Sequence, residues 1–172
     1  MQEITNQTFD EERAFYGAED LTVRRYRIDG PADGESAFKE CTGLTVENTF
    51  CNLRYPFWHD RDLTIRGSEM TGLCRAALWY SEGIRIENTR LHGIKALREC
   101  TDVALSLCDI QSPEFGWSLR NVSMDHCRLE SQYMLMRSED LHFTHTDCIG
   151  KYSFQYVKNA VFDHCTFDTK DA

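Results

Sequence analysis

A single phrase recurs through this chain of 172 residues: an apolar residue, another two positions later, a small or apolar residue at five and an apolar residue at seven. It opens at Leu21, Leu44, Leu63, Ile84, Val103, Val122, Leu141 and Ala160, at intervals of 23, 19, 21, 19, 19, 19 and 19 residues. A fainter copy, Ile4 with Phe9, precedes the first. None of the positions in these columns is charged, although 27% of the chain is, so the columns trace an interior repeated in space. A spacing of two is the strand period, whereas the step from two to five breaks parity. A strand must therefore bend there if both halves are to face inward.

The residues flanking the phrase agree with bends. Four positions after each opening stand Arg25, Asn48, Gly67, Asn88, Leu107, His126, His145 and His164, mostly types that tolerate left-handed backbone. One position before stand Asp20, Gly43, Asp62, Gly83, Asp102, Asn121, Asp140 and Asn159, all turn formers. Six positions before lies a further column, Phe15, Phe38, Phe57, Leu78, Leu97, Gly116, Leu135 and Phe154, apolar except for its glycine, which supplies a third strand. Three short strands and three bends per repeat predict an all-β fold. It is a single-stranded parallel β-helix, a solenoid of about eight to nine coils stacked at roughly 4.8 Å. A leucine-rich repeat, with Asn or Cys at five, is the rival pattern, but the column at five never holds Asn, and that repeat wants Leu three before the opening. Here that position holds Ala18, Cys41, Asp60, Ser81, Cys100, Leu119, Ser138 and Val157.

Residues 1–172 are expected to form one β-helix domain. The eighth copy leaves only residues 168–172 after Phe167, too few to cap an open solenoid end. The expectation is thus a C-terminally truncated part of a longer solenoid, or two copies meeting at their C-terminal ends. Two inserted stretches, at 30–35 and near 71–75, enter the first half. A formal net charge of −9 argues against nucleic acid and anionic membrane as partners. No apolar run reaches the eighteen or so residues of a membrane-spanning helix, and the amino terminus carries no export signal. These features lead to the expectation of a cytoplasmic protein whose eight cysteines are reduced.

The phrases Tyr55-Pro56-Phe57-Trp58, Ala77-Leu78-Trp79-Tyr80-Ser81, Ile84-Arg85-Ile86-Glu87-Asn88 and Phe9-Asp10-Glu11-Glu12-Arg13-Ala14 resemble the bacterial domain-of-unknown-function family 3737. The resemblance spans essentially the whole chain. It implies a right-handed parallel β-helix, related in shape to pectate lyases, and carries no catalytic residues with it.

All three tryptophans, Trp58, Trp79 and Trp117, fall five positions before an opening, in a column shared with Tyr16, Lys39, Arg98, Met136 and Gln155. Lys39 and Arg98 bar that column from the interior, because an unpaired buried charge is too costly. The column should form an outward stripe, with Trp79, Arg98 and Trp117 in register for cation–π stacking and His59 and Tyr80 alongside. Tyr16, Trp58, His59, Trp79, Tyr80, Arg98 and Trp117 are the candidate ligand-binding residues. The expected role is a non-enzymatic scaffold that presents the stripe to a neutral carbohydrate or a protein. The alternatives are a pectate-lyase-like carbohydrate lyase or glycoside hydrolase, and a self-assembling structural protein joined through the stripe or the C-terminal edge.

His126, His145 and His164 stand near Cys127, Cys148 and Cys165, but the register turns these thiols inward and the imidazoles outward. No metal site and no cofactor is expected, and zinc should bind weakly at most. Asp20, Asp62, Asp102 and Asp140 occupy alternate coils, too far apart for paired-carboxylate catalysis. Asp60 with Asp62 and Asp125 with Glu130 are the local acidic pairs that remain.

Overall fold

The structure, a computed structural model, describes residues 2–9, 13–29 and 36–171. The inserted stretch at 30–35, and residues 10–12 of the fourth family-like phrase, lie outside the described residues. The described chain holds no helix and winds as a right-handed parallel β-helix of about eight coils. Every pairing between its strands is parallel, in sheets of nine, ten and four strands.

The nine-stranded sheet takes the first half of every phrase, from Leu21–Arg24 and Arg61–Arg66 up to Lys158–Asp163. The ten-stranded sheet takes the second half, from Arg27–Ile28 to Thr166–Asp171. The four-stranded sheet is Phe38–Lys39, Phe57–Trp58, Leu78–Trp79 and Leu97–Arg98. Register follows the repeat residue for residue: Leu63, Ile84, Val103, Val122, Leu141 and Ala160 stand one above another. The faint copy is half a coil in the same register, with Ile4 on Val23 and Phe9 on Ile28. Seven of the eight openings, Leu21 to Leu141, are buried. Each buried aliphatic or aromatic side chain contributes about 1.5–3 kcal/mol. Phe15, Phe38 and Phe57 stack face to face inside, 5.1 Å apart at each step.

Left-handed backbone marks the corners. Each residue one before and each residue four after an opening has positive φ, between 46° and 69°. Corner chemistry explains the alternation of Asp and Gly in the first of these columns. A Cβ on Gly43 would sit 2.8 Å from the Asp20 carboxylate, and one on Gly83 would sit 3.1 Å from that of Asp62. The carboxylate of one coil thus leans over the next, where glycine leaves it room. Higher up Asn replaces Gly, and its amide donates to the carboxylate below: Asn121 to Asp102 at 2.6 Å, Asn159 to Asp140 at 3.0 Å.

Two inner corners are lined by small donors. In the column at five, Thr49, Ser68, Thr89, Cys108, Cys127 and Thr146 are buried, and each hydroxyl or thiol donates to the carbonyl two residues before it. In return, the hydroxyls of Ser68, Thr89 and Thr146 accept amide protons from the coil below. The column three before each opening is an equivalent second corner. Its Cys41, Asp60, Ser81, Cys100, Leu119 and Ser138 are all buried. Satisfying backbone groups that the bend strips of ladder partners is what selects Ser, Thr and Cys here.

Two departures from simple repetition stand out. In the first five coils another left-handed corner lies eight before the opening, at Arg13, Ser36, Tyr55, Ala76 and Lys95. From Gly116 onward it moves to six before, at Gly116, Leu135 and Phe154. The four-stranded sheet stops there, and the strands of the ten-stranded sheet run on, as Arg128–Met134 and Asp147–Ser153. Glycine suits the first shifted corner, because its φ is +72° and a Cβ would lie 2.8 Å from Leu135 Cδ2. At the other end of the stack, residues up to Asp171 continue as strand against Asp147–Ser153 and do not fold across the last coil. Val161, Phe162 and Phe167 are exposed there.

Candidate functional site

The three tryptophans face outward and are half-buried, Trp58 and Trp79 on the four-stranded sheet and Trp117 bridged to Arg98 at its end. Trp58 and Trp79 are paired in register and stack with centroids 5.2 Å apart and planes 13° from parallel. The Arg98 guanidinium lies 5.1 Å over Trp79 and 5.0 Å from the ring of Trp117 in the next coil. One unbroken ladder therefore runs Trp58, Trp79, Arg98, Trp117, as the pitch predicts. His59 and Tyr80 occupy the left-handed corner beside it and stack on each other at 5.1 Å and 13°. Tyr80 turns its ring edge-on to both Trp58 and Trp79, at 5.9 Å in each case. Tyr16 stands in the same column two coils below Trp58, with Lys39 between, and a hydrogen bond with Glu40 raises the pKa of its hydroxyl.

The indoles are also tied to the backbone, which the sequence did not disclose. Trp58 donates its N–H to the Ala76 carbonyl at 2.7 Å, Trp79 to that of Lys95 at 2.8 Å and Trp117 to that of Tyr133 at 3.3 Å. Each acceptor lies eight before the following opening, so every tryptophan bonds the same place in the coil above. For Trp58 that place directly follows the inserted stretch at 71–75, where Leu73 is exposed and Cys74 is buried. With the N–H groups taken and the faces of Trp79 covered by Trp58 and Arg98, the ladder shows its surroundings mainly ring edges and cations. A groove of about 860 Å³ lies one corner further along the coil path, lined among others by Glu99, Arg120, Arg137, Glu139, Tyr156 and Lys158.

The acidic pairs come apart. Asp60 is fully buried in the inner corner, where the Cys41 amide donates to it at 2.8 Å and its own amide donates to Ser81 Oγ at 3.0 Å. Asp62 is exposed at the outer turn. Burial raises the Asp60 carboxyl from 3.8 to about 8, and its second oxygen has no hydrogen-bond partner. Asp125 faces Thr144, His126 and His145, whereas Glu130 accepts from Arg128. Neither pair is a two-carboxylate site. Free thiols are found at all eight cysteines; burial pushes those of Cys41 and Cys148 up to about 12 and those of Cys74 and Cys100 to about 11.

The family of proteins of unknown function DUF3737 matches residues 2–172. The chain belongs to the DUF3737 family. No curated protein matches this DUF3737 chain. Among solved structures it is similar to trypsin-treated QnrB1, a plasmid-mediated fluoroquinolone resistance protein. The identity is 14% over 98% of this chain and 83% of that one, with a TM-score of 0.33. It is also similar to HetL, a pentapeptide repeat protein involved in heterocyst differentiation regulation from Nostoc sp. strain PCC 7120. Here identity is 10% over 98% and 84% of the two chains, with a TM-score of 0.29.

Proposed function

We propose that this β-solenoid is a non-enzymatic binding scaffold whose Trp58–Trp79–Arg98–Trp117 ladder, flanked by His59 and Tyr80, docks a protein partner. The observation that carries this reading is the use of the ring faces. A sugar stacks on an open aromatic face, but Trp79 has Trp58 on one side and Arg98 on the other. Ring edges are the positive rim of the aromatic quadrupole, and Arg98 adds a full charge beside them. Such a strip favours carbonyl and carboxylate oxygens and flat apolar side chains of a protein over a neutral glycan. Indoles fixed to backbone carbonyls lose little further freedom on binding, which favours their use as anchors.

Selection of displayed peptides on the immobilised chain tests this, run beside a fluorescence titration with neutral oligosaccharides. The expected result is a convergent peptide set that Trp79→Ala and Arg98→Ala no longer recover while keeping the wild-type circular dichroism, with no change of emission on adding sugar. Recovery of the same peptides by both variants, or saturable quenching by a neutral oligosaccharide, would overturn it.

A further inference from the structure

The column three positions after each opening faces out from the nine-stranded sheet and changes character along the solenoid. In the lower coils it is an alternating ladder: Arg24 contacts Glu3 and Glu47 at 2.7 Å, and Arg66 contacts Glu47 at 3.6 Å and Glu87 at 3.5 Å. Above Glu87 the column reads Ser106, Asp125, Thr144 and Asp163, without a cation of its own. The neighbouring corner column there reads Leu107, His126, His145 and His164. Left-handed backbone at all three histidines, φ 47–51°, brings the rings into one stack, 4.5 Å apart at the first step and 5.2 Å at the second.

Asp125 sits against the lower pair. One carboxylate oxygen is 3.0 Å from His126 Nδ1 and the other is 3.4 Å from His145 Nδ1. Ligand atoms of the three residues all fall within 4.8 Å of one another, the one such group among the described residues. Bonds of about 2.0–2.1 Å to a tetrahedral ion place neighbouring donors about 3.4 Å apart, so the two carboxylate–imidazole distances are already near a coordination edge. The rings lie 20° from parallel, and the Nδ1 atoms of both already face the Asp125 carboxylate. All three side chains are exposed. A hydrogen bond from Thr144 to Asp125 at 2.5 Å holds the carboxylate in place beside the rings.

We propose that Asp125, His126 and His145 form a site for one divalent transition-metal ion, which would tie two successive coils together. Two imidazoles and one carboxylate suit zinc, nickel or copper and not the all-oxygen preference of magnesium or calcium. Solvent completes the coordination on the open side. The thiols take no part, because Cys127 and Cys148 are buried on the other side of the wall. That separation is the one read from the sequence; the expectation of no metal considered His with Cys and left out Asp125.

Calorimetry with zinc chloride on the metal-free full chain decides the matter. One zinc per chain is expected, with no heat from magnesium chloride. His145→Asn and Asp125→Asn should each weaken binding at least about tenfold, equivalent to about 1.4 kcal/mol. Asn tolerates the left-handed corner, so H145N keeps the fold, and unchanged circular dichroism verifies it. His164→Asn and Cys165→Ser should leave affinity nearly as it was. Absence of saturable zinc binding to the folded wild type, or equal loss in H164N and H145N, would overturn the assignment.

Discussion

The first five coils and the last three share one pitch but are not built alike. Below, a corner eight before the opening makes room for a third sheet, and that sheet carries Trp58, Trp79 and Arg98 on its outer face. Above, the corner comes two residues later, the third sheet is lost and longer strands carry Tyr133 and Tyr152, stacked at 4.9 Å. The outward charges differ as well, from a self-neutralising Arg/Glu ladder below to Asp125 among histidines above. A nineteen-residue period therefore fixes which residues face each other across coils but leaves the cross-section free to change. Binding features follow the cross-section.

The largest expected contrast is in packing. Phe57 is fully buried in the phenylalanine stack of the lower coils, whereas Phe162 in the last coil is 37% exposed. Phe57→Ala should cost about 3–5 kcal/mol in urea unfolding, and Phe162→Ala under about 1 kcal/mol. Similar losses at both sites would show that the upper end is as well packed as the lower.

The buried acid of the lower half has an effect of similar size. Because Asp60 titrates at about 8 in the fold against 3.8 as its ordinary value, the folded chain holds a proton that the unfolded chain releases. Stability is then full below about pH 4, declines as pH rises, and has lost the whole contribution above about pH 8. Asp60→Asn keeps an acceptor for the Cys41 amide but cannot ionise. It should flatten this slope and be on the order of 5 kcal/mol more stable than the wild type at pH 8. Parallel pH profiles for the two proteins would contradict the placement of Asp60.

The Arg/Glu ladder should matter least. Arg66 is half-exposed and bridges Glu47 and Glu87 at 3.5–3.6 Å, so Arg66→Ala should cost under about 1 kcal/mol, and less in high salt. A larger loss would mean that the lower half depends on its surface charge.

These contrasts also explain what could be read from the sequence. Columns at zero, two and seven were legible because a single buried face imposes one residue class on every coil, and the tryptophan register followed from a constant pitch. The column containing Asp60 was not legible as interior. Ala, Cys, Asp, Ser, Leu and Val look unrelated until the bend shows that a small donor or acceptor, or a compact apolar group, fits the same inner corner. Gly116 read as a gap in an apolar column, whereas it is the first residue of the shifted corner. Asp125 lay one position from a histidine column in plain sight, but only the left-handed turn at His126 and His145 folds those rings back over it.

Docking through the ladder depends on three indole N–H groups bound to backbone carbonyls of the coil above, which hold the rings edge-on. Hydrogen exchange of the indole N–H groups, followed by NMR, tests it most directly. Three slowly exchanging indole signals are expected, with Trp58 and Trp79, at 2.7 and 2.8 Å, better protected than Trp117 at 3.3 Å. Exchange of all three at the rate of free tryptophan would mean rings that swing clear of the wall and offer their faces, contradicting the edge-on ladder and the protein-docking role built on it.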